Sequence, residues 1–270
     1  MPRVASRLAA FALVLAGSFG SAYALGNSLP GGSRDPESDP HAHSSGDATT
    51  PVREGTEQRG YQLVTDNVMA AMSGMAGSAG FHLRGPDGNT VTEFDTVHEK
   101  RLHVIVVRPD LSDYRHVHPE VRADGTWDVD LPGPGQWHLV FDSTPAGETE
   151  PIVVSANIDD EKPVATVPLP PPDDTVEIDG LVVTRAGFDF TITDDSGAAA
   201  TGLEPYLGQP AHLVALRQGD LAYTHLHPTG EMSGTYMFAN EITEPGTYRL
   251  FLQVGHNGDV LLAAFTVVVP

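Results

Sequence analysis

From Tyr61 onward, apolar positions fall in short β-branched and aromatic runs separated by turn clusters: Gly85-Pro86-Asp87-Gly88, Gly133-Pro134-Gly135, Asp194-Asp195-Ser196-Gly197, Glu244-Pro245-Gly246 and His256-Asn257-Gly258-Asp259. The last has Asn-Gly at its centre, the strongest short hairpin signal, because a type I′ turn needs positive φ at both central residues. Alternation marks single strands: Trp137, Leu139 and Phe141 fall on one face, Gln136, His138 and Asp142 on the other. The run around His103 is apolar on both faces, with His103 on the side of Ile105 and Val107, which predicts a buried imidazole. No helical period persists for three turns. Strands repeated at this spacing predict an all-β chain built as β-sandwiches.

The pattern occurs twice. Leu102-His103-Val104-Ile105-Val106-Val107 matches Ala211-His212-Leu213-Val214-Ala215-Leu216, and Tyr114-Arg115-His116-Val117-His118-Pro119 matches Tyr223-Thr224-His225-Leu226-His227-Pro228 at the same offset of 109. After two extra residues, Pro134-Gly135-Gln136-Trp137-His138-Leu139 meets Pro245-Gly246-Thr247-Tyr248-Arg249-Leu250. An internal duplication of one β unit of roughly 90 residues follows. The two copies are expected over 61–158 and 176–270. Between them, 159–175 contains Pro170-Pro171-Pro172 and reads as a semi-rigid polyproline spacer. Residues 25–60 are rich in Gly, Pro, Ser, Asp and Glu and poor in aliphatics, which predicts a disordered tether. Its His41-Ala42-His43 reads as solvated polar residues, with a weak metal catcher as the alternative.

Charge and composition narrow the function. A net charge of −21 repels phosphate backbones and excludes nucleic acid as a partner. Cysteine is absent, which removes disulfides, thiolate metal sites and Cys nucleophiles. Arg3 and Arg7, the apolar run Leu8 to Gly17 and the small residues ending Ala22-Tyr23-Ala24 describe a secretory signal peptide over 1–24. The stretch to Leu25 reaches about 18 residues, the lower limit for spanning, so an uncleaved membrane anchor is the alternative. Either places the remainder in the cell envelope or outside the cell.

Each copy carries three matched histidines: His103, His116 and His118, then His212, His225 and His227. In an extended strand, residues i and i+2 share a face, so each His-x-His pair can aim two imidazoles at one metal ion. Imidazole suits copper, zinc, nickel and iron. The carboxylates near these pairs do not match between copies (Glu120 meets Thr229, Asp110 meets Gly219), so two sites would differ in affinity. The first copy alone holds Met69, Met72 and Met75 within seven residues. Thioethers are soft Cu(I) ligands, which favours copper over zinc in an exported chain without Cys. Because imidazole must be deprotonated to bind, affinity is expected to fall as pH drops through about 6.5. The alternative is that the histidines are structural, bracing strand ends in a metal-free module that presents loops to an envelope protein partner. Catalysis has little support: G-x-S-x-G, H-E-x-x-H and a phosphate-cradling G-x-x-x-x-G-K are all absent.

The segment from His98-Glu99-Lys100 through Leu102–Val107 to Asp110-Leu111-Ser112-Asp113-Tyr114-Arg115-His116-Val117-His118-Pro119 resembles the exported YtkA-like proteins. The second copy, with Gly219-Asp220-Leu221-Ala222-Tyr223 before His225-Leu226-His227-Pro228, resembles the second half of two-domain actinobacterial members. The likeness covers about 61–270. It implies tandem Ig-like (cupredoxin-like) β-sandwiches and, for members described so, heavy-metal binding. The chain departs from that pattern at the Met-rich stretch and near Val260-Leu261-Leu262, where a His is commoner.

Overall fold

The structure is a computed structural model and describes residues 55–69, 77–159 and 164–270. The predicted signal segment, most of the predicted tether, Met72 and Met75 lie outside the described residues. The described residues form strands and turns without a helix, and so none that is long and apolar enough to cross a membrane.

The strands of the first half are β1 (Glu57–Gln58), β2 (Tyr61–Met69), β3 (Gly77–Arg84), β4 (His103–Val107), β5 (Arg115–Val117), β6 (Thr126–Leu131), β7 (Gln136–Ser143) and β8 (Ile152–Asp159). They build two antiparallel sheets, β1-β2-β3-β6 and β5-β4-β7-β8, packed face to face. Trp137, Leu139 and Phe141, alternating along β7, meet Phe81 and Trp127 in the core between them. The sandwich begins before Tyr61: Gly55 N–H donates to Ser155 Oγ (2.9 Å), and β1 pairs with the start of β2.

The second half repeats this with β9 (Thr175–Ile178), β10 (Leu181–Ala186), β11 (Asp189–Asp194), β12 (Leu203–Glu204), β13 (His212–Arg217), β14 (Tyr223–Leu226), β15 (Pro228–Met232), β16 (Thr235–Phe238), β17 (Gly246–His256) and β18 (Asp259–Val269). One sheet runs β15-β16-β11-β10-β9; the other runs β14-β13-β17, where β17 also pairs with β12 and β18. The chain is thus two tandem Ig-like β-sandwiches. Asn257 and Gly258 take φ of 52° and 88° in the β17–β18 hairpin, as the Asn-Gly signal requires.

A third apolar cluster joins the two sandwiches. Ile105, Val107 and Val140 of the first pack with Val214, Leu216, Leu221, Tyr223 and Phe251 of the second. This explains why β4 and β13 are buried on both faces. Alternation alone predicts a half-buried β7, yet His138 and Val140 on its less apolar face are buried as well. The ring of Tyr114 stacks on Phe251 across the interface, with centroids 3.8 Å apart and planes 9° from parallel. The proline-rich connection is docked. Val167 N–H donates to Asp110 Oδ2 (2.6 Å), and Leu169 packs against the inter-sandwich cluster.

Candidate metal centre

In each copy the three matched histidines come together. His103 opens β4, His116 lies in β5 and His118 follows it; one ring nitrogen from each falls within 4.8 Å of the others. His212, His225 and His227 do the same from β13, β14 and the residue after it. The strand periodicity is what aligns the outer pair: rings two residues apart lie 4.7 Å apart in both copies.

The surrounding hydrogen bonds set which nitrogen carries the proton. His103 Nε2 donates to the Val97 carbonyl (3.0 Å), and His212 Nε2 donates to the Tyr206 carbonyl (2.9 Å). Both carbonyls belong to matching two-residue turns. Val97 and Lys100 exchange backbone hydrogen bonds around His98 and Glu99, and Tyr206 and Gln209 do so around Leu207 and Gly208. All four central residues have positive φ. His116 Nδ1 donates to Gln253 Oε1 (2.8 Å), while His225 Nδ1 faces Asp142 Oδ2 at 3.6 Å, ion-pair rather than hydrogen-bond distance.

A neutral imidazole has one N–H and one lone pair. With Nε2 of His103 and His212 and Nδ1 of His116 donating, the inner nitrogens of these three rings are lone pairs. His103 Nδ1 and His116 Nε2 then face each other at 3.2 Å. In the second triad the His212 Nδ1 lone pair meets His225 Nε2 and His227 Nε2, each at 3.1 Å. Among the described residues, nothing hydrogen-bonds to the buried His118 Nε2. Lone pairs turned on one another repel unless a cation lies between them. Protons are disfavoured, because burial lowers the imidazole pKa of His116 to about 4, of His212 to about 3 and of His118 to about 2, with His225 and His227 also pushed far down. Two nitrogens bound to one tetrahedral metal at about 2.0–2.1 Å sit about 3.3 Å apart, close to the spacings here. The donor set therefore fits a metal ion, and each triad can hold one.

The triads adjoin across the interface. His103 and His116 lie 5.8 and 5.6 Å from His225 between ring centroids, little more than the 5.3 Å from His103 to His116. Sequence reasoning passed over four participants. His98 of the first sandwich lies 3.9 Å from His227 by centroid, and its Nδ1 accepts from Gln209 Nε2 (3.1 Å). Asp142 and Gln253 sit opposite His103 and His212 in their ladders, and Tyr223 donates to Asp142 Oδ2 (3.2 Å). The signal existed: Asp142 and Gln253 match at the shifted offset of the second half-repeat, and the turns holding His98 and Leu207 match at the original offset of 109. Of the other sequence candidates, Met69 ends β2 in the opposite sheet and is 64% exposed. Asp110 caps its own turn and the proline-rich segment rather than a triad.

Among curated proteins, none matches the chain. Among solved structures, the FN1–FN3 domains of chicken CNTN1 are similar at 8% identity with a TM-score of 0.23. The likeness covers 82% of this chain and 65% of that one, so the chain spans just under two thirds of its length. A family described as a domain of unknown function, DUF8832, matches residues 56–159 and again 174–270, one copy per sandwich. With both sandwiches matched, the chain belongs to the DUF8832 family.

Proposed function

We propose that this is an exported metal-binding protein that binds or handles copper in the cell envelope through its two histidine triads. The observation that carries the reading is the convergence of three imidazole nitrogens in each triad, with Nε2 of His103 and His212 held by carbonyls, Nδ1 of His116 by an amide oxygen and Nδ1 of His225 facing a carboxylate. Metal-binding histidines are oriented in this way by their second hydrogen bond. Copper is preferred because imidazole suits it; the Met69–Met75 run offers thioethers for Cu(I) apart from the triads, since Met69 stands exposed in the opposite sheet. The export signal and the resemblance to YtkA-like proteins support an extracytoplasmic setting.

The test is titration of the full chain with Cu(II), with Cu(I) under reducing anaerobic conditions, and with Zn(II), each against a chromophoric chelator. Two equivalents of copper are expected, one of them lost in the His116→Ala, His118→Ala double variant and the other in His225→Ala, His227→Ala. Zinc outcompeting both copper states would replace copper with zinc. Unchanged affinity in the two folded double variants would leave the histidines structural and end the metal reading. Fractionation of cells carrying the native gene tests export, with the protein expected in the envelope or medium.

A further inference from the structure

The two triads are built alike but supported differently, and each support comes from the other sandwich. Gln253, on β17 of the second sandwich, accepts the Nδ1 proton of His116 in the first triad and is also contacted by Tyr114 (3.5 Å). Asp142, on β7 of the first sandwich, faces Nδ1 of His225 in the second triad and is anchored by the Tyr223 hydroxyl. The duplication has thus put a neutral amide behind one triad and a carboxylate behind the other, at equivalent ladder positions. A carboxylate behind a ligating imidazole raises its basicity, and removing such a partner lowers metal affinity about 10- to 100-fold. The site is shielded, so the Asp142 charge acts on a nearby cation through a low local dielectric.

On this basis, and resting on the metal-binding reading above, we propose that the two triads form one two-ion centre across the sandwich interface, in which Asp142 of the first sandwich makes the second sandwich's triad the tighter site and Gln253 of the second sandwich orients the weaker first triad. Asp142 also lies opposite His103, so its charge reaches both ions; the direct Nδ1 contact is to His225 alone. The order of filling follows: the first ion enters the second triad.

The probe is Zn(II), which has no redox chemistry, titrated into the full chain against a chromophoric chelator, with fold checked by circular dichroism. Wild type is expected to fill in two steps, with His225→Ala, His227→Ala abolishing the tighter step. In the His116→Ala, His118→Ala background, where only the second triad remains, Asp142→Asn should weaken zinc 10- to 100-fold. In the His225→Ala, His227→Ala background the same change should cost several-fold less. Gln253→Met should weaken the first triad about tenfold and spare the second. If Asp142→Asn does not fold, Tyr223→Phe, which only loosens the carboxylate, should weaken the second triad several-fold and leave the first unchanged. Two zinc ions bound with equal affinity, or losses from Asp142→Asn that are the same at both triads, would overturn the cross-tuning while leaving metal binding intact. Folded wild type that binds neither zinc nor copper would overturn the metal reading itself.

Discussion

At the level of single residues, the triad imidazoles behave differently from histidines in water, and the sign of the effect is testable. Burial holds His116, His118 and His212 near pKa 4, 2 and 3, whereas an unfolded chain titrates near 6.5. Between those values the unfolded state binds more protons than the folded one, so folded stability rises with pH across that window. The contribution is complete above about pH 6.5 and is lost as pH falls toward 4 and below. Asp142 works in the opposite sense: burial raises its carboxyl, so it favours the folded state at low pH, but it is one group against several imidazoles. The metal-free protein should therefore melt at progressively lower temperature from pH 6.5 to pH 4, as read by calorimetry. Metal affinity should hold well below pH 6.5, where simple imidazole chemistry predicts its decline, until the fold gives way. A fall in affinity centred on pH 6.5 with the fold intact would contradict the burial argument.

At the level of elements, the two-residue turns Val97–Lys100 and Tyr206–Gln209 set the site. Each aims a carbonyl at the strand histidine, and each needs positive φ at both central positions. Glu99 has φ of 65°, a conformation proline cannot take because its ring holds φ near −65°. Glu99→Pro should open the turn, release the His103 ring and lower metal affinity of the first triad about tenfold with every ligand still present. Gly208→Pro should do the same to the second triad, and metal titration of the two variants checks both. The β17–β18 hairpin supplies a control far from the ligands in chemistry: Gly258→Ala, forced to keep φ near 88°, should cost about 1–2 kcal/mol of stability in a denaturant melt and leave binding stoichiometry unchanged.

At the level of the whole molecule, the inter-sandwich cluster is a second stability determinant beside the two cores. Ile105 and Leu216 are wholly buried in it. Truncating either to Ala should destabilise the protein by about 2–5 kcal/mol, measured by chemical denaturation, because a cavity remains where the methyl groups were. The same variants should weaken both metal sites together, since one histidine of each triad is supported from the opposite sandwich. Metal loading should correspondingly raise the melting temperature of both sandwiches in one transition, because a ligand held only by the folded, docked state stabilises all of it. Independent melting of the two halves, with one unaffected by metal, would contradict this.

Much of this architecture was legible in the chain. Period-two alternation, Gly- and Asn-rich turns and the offset of 109 determine two β-sandwiches, because side-chain direction in a strand is local and the turn chemistry is carried by the turn residues themselves. The same locality made the His-x-His pairs readable as same-face ligands. The apolar run around His103 signalled burial on both faces without saying what covers the second face. Only the tertiary structure decided that the second face meets the other copy, and hence that Asp142, Gln253 and His98 reach triads in the sandwich they do not belong to. Those contacts join residues more than 80 positions apart through the docking of two folded sheets, and no local periodicity records which faces will dock. What the chain determined alone is the set of imidazoles and the strands that align them. Which groups stand behind each imidazole, and therefore how the two sites differ, was decided by packing.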